Sequence, residues 1–279
     1  MNTVHIEAHA KINWMLHITG VRSSGYHELD MLMQTLHLHD DLTLTKADRL
    51  CLYADGKEDV EADKNLIIKA VREVSKYIGI EMPVRAELIK RIPSRAGLGG
   101  GSADCAAAIE ALDELYGLHL SLEQKCEIGL KLGADVPFFF YGGLCTVSGI
   151  GETVRKWVMS PKYHIVISHV GGGLSTPEVY GKYDSMKGTF SAEAASKTAE
   201  LLTEGKIKDA FENSHNDLEQ PAIALLPEIA ERIGEMKNQG CLATRMTGSG
   251  SAVYAVFEDY EKALNASKSI AKSIVTYTV

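Results

Sequence analysis

The sequence predicts an α+β protein of two domains, and three observations carry that expectation. In the first half, apolar alternation marks a run of strands ahead of the helices. A glycine-rich loop then runs straight into an apolar-striped helix in the stretch 92–113, IPSRAGLGGGSADCAAAIEALD. The second half reads strand, helices, strand, strand, helix, strand, the split βαβ order of ferredoxin-like domains. Strands and helices in both halves, without regular βαβα alternation, define the α+β class.

Taken in order, residues 3–9, 12–19, 29–37, 41–46 and 49–54 have strand-like alternation, interrupted at Gly20, Gly25 and the Asp40-Asp41 pair. Asp63 is placed to cap a helix over 64–78, where Leu66, Ile67, Ala70, Val74 and Ile78 fall on one face. A strand at 82–90 feeds the glycine loop, and a helix follows from Ser102 to Tyr116. Ser121 and Gln124 form a capping box for a helix to Leu132, which Gly133 ends and Pro137 keeps from continuing. Beyond that come a strand near 163–169, several helices, strands at 242–247 and 252–257, a helix over 259–272 and a strand at 274–278. Gly149-Ile150-Gly151 and Ser160-Pro161 punctuate the chain near 150–162, which divides it into domains 1–155 and 156–279.

Composition narrows the function classes. A net charge of −8 with no basic stripe argues against a nucleic-acid or membrane-surface binder, but a nucleotide needs only local positive potential. Cys51, Cys105, Cys126, Cys145 and Cys241 are scattered, odd in number and without a Cys-x-x-Cys pair, as expected of reduced thiols. Met1 leads directly into VHIEAHA, and no run of 18 apolar residues occurs. The expectation is a cytoplasmic protein with neither signal peptide nor membrane span.

The glycine loop carries the chemistry. Gly97, Gly99, Gly100 and Gly101 lack Cβ, so the backbone can turn sharply and approach a ligand closely. Ser102 is placed to cap the helix, whose first amides and positive dipole end favour a phosphate. A dinucleotide fingerprint counted from Gly97 needs glycine at position 102, and a Walker A loop needs a Gly-Lys-Ser/Thr step; neither fits. The plain alternative is an ordinary glycine-rich turn before a helix.

Pro93 followed by GLGGGSAD resembles the phosphate-binding loop of the GHMP kinases, named for galactokinase, homoserine, mevalonate and phosphomevalonate kinases. AKINWMLHITGVRSSGYHELDMLMQTL at 10–36, GADVPFFFYGG at 133–143 and MTGSGSAVYAVF at 246–257 are similar to one branch of that family. That branch phosphorylates a cytidine diphosphate-linked methylerythritol. LSTPEVY at 174–180 and NDLE at 216–219 also look like it, and all the segments occur in the family's order. The resemblance implies an N-terminal domain bearing the phosphate loop and a C-terminal ferredoxin-like domain completing the substrate cleft. It further implies ATP as phosphoryl donor, Mg²⁺ accompanying the phosphates without an all-protein cage, and a small-molecule substrate. Nothing in it bears on oligomeric state.

Residue by residue, the resemblance assigns ATP to Pro93, Ser94, Arg95, Ala96, Gly97, Leu98, Gly99, Gly100, Gly101, Ser102 and Ala103. Through a weaker match it places Asn65 near the adenine or ribose. The loop has no side-chain cation except Arg95, so a separate lysine is expected. Lys11, in an apolar strand, reads either as a rim residue or as that cation, and the resemblance favours the cation. Asp135, in Gly-Ala-Asp-Val-Pro, reads as an Asx-turn residue from sequence and as the catalytic base by resemblance. Asn13, Tyr26, His27 and Tyr180 correspond to the substrate site, the two rings stacking a pyrimidine and the imidazole reading its edge. Their plain readings are a surface turn for Tyr26 and a core helix residue for Tyr180.

Gly248-Ser249-Gly250-Ser251 reads as a hairpin turn and, by resemblance, as a support for the phosphate loop. His37 and His39 share a strand face and would make a metal pair if a third ligand existed. Trp14, Met31 and Met33 read as core. Three departures stand out: His9 where the family often has proline, Gly171-Gly172-Gly173 where relatives carry proline, and Ala103 where some have a second serine. The rival functions are a homoserine- or mevalonate-type kinase, which Tyr26-His27 disfavour, and a non-catalytic sensor, which retention of Lys11 and Asp135 disfavours.

Overall fold

The computed structural model describes residues 2–55, 57–58, 62–171, 173–186 and 194–279. Gly172 of the triple-glycine run lies outside these. The chain forms two compact units that are not continuous in sequence. One comprises residues up to Ala10, Leu38–Ile92 and Gly99–Tyr141; the other comprises Lys11–His37, Pro93–Leu98 and Gly142–Val279. The division expected at 155/156 is a cut along the chain, whereas these units each take several segments.

Two long strands, β1 (Thr3–Val21) and β2 (His27–Lys46), pair with each other and contribute residues to both units. The sequence pattern reads each as two strands. The Asp40-Asp41 pair does not interrupt β2, because the buried Asp40 carboxylate accepts the backbone N–H groups of Arg91 (2.5 Å) and Ile92 (2.8 Å). In the first unit β2 is followed by β3 (Cys51–Ala54), β4 (Lys57–Glu58), a 3₁₀ turn at Ala62–Lys64, α1 (Leu66–Ile78), β5 (Val84–Ile89), α2 (Gly100–Tyr116), α3 (Leu122–Leu130) and α4 (Val136–Tyr141). β5 lies antiparallel to β2, with Asp41 opposite Ile89, and parallel to β3. The sheet's inner face presents Leu42, Leu44, Ala86 and Leu88 to Ile67, Val71 and Val74 of α1 and to Ile109 and Leu112 of α2. Asn65, not Asp63, caps α1, its side chain accepting from Ile67 N at 2.9 Å. The Ser121–Gln124 capping box forms as read from sequence.

In the second unit β6 (Leu144–Gly149) and β7 (Thr153–Lys156) form a hairpin, with β6 antiparallel to β2. Gly149 and Gly151, read as boundary punctuation, make its turn at φ 74° and 128°. Then follow β8 (His164–His169), α5 (Thr176–Ser185), α6 (Ala195–Thr203), α7 (Ile207–Glu212), α8 (Glu219–Leu225), α9 (Glu228–Lys237), β9 (Ala243–Met246), β10 (Ala252–Phe257), α10 (Tyr260–Ser269) and β11 (Ser273–Tyr277). The sheet order is β11-β8-β10-β9, all antiparallel, which is the ferredoxin-like arrangement expected from the element order.

The core of this unit fixes the strand that carries Lys11 and Asn13. Trp14 packs edge-on against Tyr163, Phe211 and Tyr254. The buried Arg245 guanidinium donates to the carbonyls of Trp14 (2.5 Å), Phe211 (3.0 Å) and Ser214. Met31 and Met33 are buried, as expected. No helix among the described residues is long and apolar enough to cross a membrane.

Candidate active site

The glycine loop passes from one unit to the other at the Leu98–Gly99 bond. Arg95, Gly97 and Gly99 take left-handed φ values of 52°, 79° and 72°. Helix α2 starts at Gly100, with Gly99 at its N-cap and no side chain capping it. The expectation that Ser102 is the cap is therefore corrected: Ser102 is the third residue of the helix. A glycine cap has no side-chain acceptor to offer the first-turn amides, which is the arrangement that suits an anion.

In the second unit the loop is clamped backbone against backbone. A Cβ on Gly97 would lie 2.1 Å from Thr247 O, and one on Gly248 would lie 2.8 Å from Gly97 O. Ala252 N donates to Ala96 O at 3.0 Å, and Asn216 Nδ2 donates to the carbonyls of Met246 (3.0 Å) and Gly248 (2.8 Å). The hairpin at 248–251 thus forms the turn between β9 and β10 and supports the loop. Lys11 joins the same cluster. Its N–H donates to Leu98 O at 3.0 Å, and its Nζ donates to Asn13 Oδ1 at 2.6 Å. The Nζ also lies 3.3 Å from the position of a Cβ on Gly248. Asn13 N in turn donates to Thr247 Oγ1 at 3.0 Å. A lysine only 3% exposed on an apolar strand is held beside the glycine loops and is no rim residue. Asn13, expected at the substrate, is the residue that accepts the hydrogen bond from Lys11 Nζ.

His27 stands against Tyr180 of α5, ring centroids 4.7 Å apart, and its Nε2 lies 2.8 Å from Asp184 Oδ1. Tyr26 precedes β2 and is 64% exposed. Ser175 caps α5, fixing the helix that carries Tyr180 and Asp184.

In the first unit Asp135 occupies the turn immediately before α4 and is half-buried. Pro137 is the second residue of that helix, where a missing N–H costs little. The turn adjoins α2: Ser102 Oγ is 3.7 Å from where a Cβ on Gly133 would stand. Asn65 neighbours the same helix start, since Leu66 Cδ1 is 3.6 Å from a Cβ position on Gly101.

Sequence reasoning missed the buried charges behind this helix. Lys90 Nζ donates to Asp40 and to Asp104 Oδ2 (2.8 Å), while Asp40 also takes the Arg91 and Ile92 amides that lead into the loop. Burial pushes the Asp104 carboxyl up to about 7, against the pull of Lys90. Burial alone would lower Lys90, but Asp104 and Asp40 together hold it above its ordinary value. The available signal was an aspartate within an otherwise apolar stretch of the helix, Ala-Asp-Cys-Ala-Ala-Ala.

The profile for the N-terminal domain of GHMP kinases matches residues 65–143, and that for their C-terminal domain matches residues 199–275. This chain belongs to the GHMP kinase family. Within it, the chain is 36% identical to the 4-diphosphocytidyl-2-C-methyl-D-erythritol kinase of Thermoanaerobacter sp. (strain X514), over 97% of this chain and 93% of that relative. A crystal structure of 4-(cytidine 5'-diphospho)-2C-methyl-D-erythritol kinase superimposes with a TM-score of 0.84 at 30% identity, covering 99% of both chains. The homoserine kinase of Cytophaga hutchinsonii superimposes at 0.71 with 19% identity over 100% of this chain and 95% of that one, a likeness of fold.

Gly97→Ala is expected to destabilise the fold by about 2 kcal/mol or more in urea unfolding, because φ is left-handed and a backbone oxygen occupies the Cβ position. Gly101→Ala, whose Cβ meets only a flexible leucine methyl, is expected to be mild. Equal effects would contradict the clamp. The raised Asp104 carboxyl has a linked consequence: between its unfolded value near 4 and its folded value of about 7 the native state holds the extra proton. Stability therefore falls as pH rises through that window, and Asp104→Asn should remove that part of the slope. Parallel pH–stability curves for the two proteins would contradict it.

Proposed function

We propose that the chain transfers the γ-phosphoryl group of ATP to the 2-hydroxyl of 4-diphosphocytidyl-2-C-methyl-D-erythritol, as a cytoplasmic enzyme of non-mevalonate isoprenoid synthesis. The observation that carries phosphoryl transfer is the uncapped α2 N-terminus entered by a left-handed glycine loop, with buried Lys11 against that loop. The acceptor is that of the sequence relatives. In this reading residues 1–155 bear the ATP loop and base, and 156–279 help hold the acceptor.

Phosphoryl transfer asks the protein for positioning and charge stabilisation more than for covalent chemistry. The first-turn amides of α2 cradle phosphate oxygens, and Pro93–Ala103 wrap them. Asn65 lies toward the nucleoside. Lys11, aimed by Asn13, stabilises charge developing on the transferred group. Asp135 orients the acceptor hydroxyl; a carboxylate is too weak a base to ionise an alcohol beforehand, so it takes the proton late, once the bond to phosphorus is forming. Mg²⁺ commonly binds nucleotide phosphates and water with one or two protein oxygens, and Ser102 Oγ on the first turn suits that arrangement. Bound there, the ion would neutralise phosphate charge.

Cytosine recognition rests on His27. The Asp184 carboxylate can only accept, so the proton of a neutral imidazole sits on Nε2 and Nδ1 becomes an acceptor. An acceptor suits the exocyclic amine of cytosine and opposes the carbonyl oxygen of uracil. Tyr26 and Tyr180 supply the stacking faces.

Asp135→Asn and Lys11→Met should each fold and lower kcat by roughly 10²–10⁴-fold with smaller effects on substrate binding. Near-normal kcat at saturation in either variant would remove that residue's role. Tyr26→Ala should weaken the cytidine substrate by roughly 1–3 kcal/mol in KM, and Tyr26→Phe should be mild. His27→Ala should narrow the preference for cytidine over uridine substrates, with ATP binding unchanged. A defect on the ATP side alone would reverse the assignment of the two nucleotides.

A further inference from the structure

The solvent-facing side of β1 and β2 in the first unit carries a cluster that the phosphoryl-transfer machinery does not use. Glu7 and His9 are two apart on β1, so they share a face, and His39 stands beside them on β2. His9 and His39 meet edge to face with ring centroids 5.4 Å apart. The Glu7 carboxylate reaches between them, Oε2 at 3.6 Å from His9 Nε2 and Oε1 at 3.8 Å from His39 Nε2. His37, the partner expected for His39, instead packs edge-on against Tyr277.

Those spacings are too long for hydrogen bonds but close to what a shared cation sets. Two bonds of about 2.1 Å at a tetrahedral angle hold their donor atoms about 3.4 Å apart. Donor atoms of all three side chains lie within 4.8 Å of one another. We propose that Glu7, His9 and His39 form a binding site for one divalent transition-metal ion, the remaining positions being taken by water. Two imidazoles and one carboxylate select zinc, cobalt or nickel over magnesium, which prefers an all-oxygen shell. The His17–His215–Asp217 cluster is different in kind. His17 Nε2 lies 3.2 Å from His215 Nδ1 and His215 Nε2 lies 2.8 Å from Asp217 Oδ1, both shorter than the spacing a shared tetrahedral ion sets.

Cobalt(II) titration of tag-free, chelator-stripped full-length protein tests the site, read by visible d–d absorption and by calorimetry. One equivalent is expected to bind, and the unfolding temperature should rise with the logarithm of free cobalt once its concentration exceeds the dissociation constant. Glu7→Gln, His9→Gln and His39→Ala should each weaken it by about tenfold or more, with His215→Ala unchanged. Metal-free unfolding curves show whether each variant is folded, and having three variants keeps the test open if one is not. Absence of binding at millimolar cobalt, undiminished binding in the folded variants, or loss confined to His215→Ala would each overturn the proposal.

Discussion

The glycine loop at 93–101 has its shape because two backbones touch where no side chain fits. Gly97 lies so close to Thr247 that a Cβ would sit 2.1 Å from its carbonyl oxygen, and Gly248 returns the contact at Gly97 O. That approach fixes Ala96 against Ala252, brings Leu98 O to the amide of Lys11, and leaves Lys11 Nζ beside the hairpin. Asn216 holds the hairpin from behind through two carbonyls. A lysine in that position is committed: its hydrogen bond to Asn13 directs it, and burial removes competing water.

The helix end needs a second device. An α2 N-terminus without a side-chain cap would be a weak point unless its surroundings were rigid. Lys90 supplies rigidity by tying Asp40 of β2 to Asp104 of α2, and Asp40 orders the two amides preceding the loop. Asp104 Oδ1 has no hydrogen-bond partner among the described residues, so the cluster is imperfectly satisfied, consistent with its raised carboxyl.

What the sequence made legible were local rules with little competition. The ferredoxin-like order followed from element succession, and the Ser121–Gln124 box formed because both partners lie within one turn. Other expectations failed, one of them because distant residues decided. Asp40-Asp41 looked like a strand break, but amides 51 and 52 residues away satisfy Asp40. Asp63 and Ser102 looked like caps; Asn65 and Gly99 hold those positions. Gly149 and Gly151, which read as boundary punctuation, make a hairpin turn, because left-handed glycines serve a tight turn between paired strands as well as a linker. Lys11 and His27 are singled out by motif resemblance, whereas Asp184, Thr247 and Lys90 meet their partners through contacts that no local spacing reveals.

The most direct test of the central claim is acceptor choice. Purified protein with Mg²⁺ and ATP labelled at its γ-phosphate would be offered 4-diphosphocytidyl-2-C-methyl-D-erythritol, homoserine and mevalonate in parallel, and the labelled products identified. The account predicts label on the 2-hydroxyl of the cytidine compound and none on the other two. Label on homoserine or mevalonate, with the cytidine compound untouched, would contradict it.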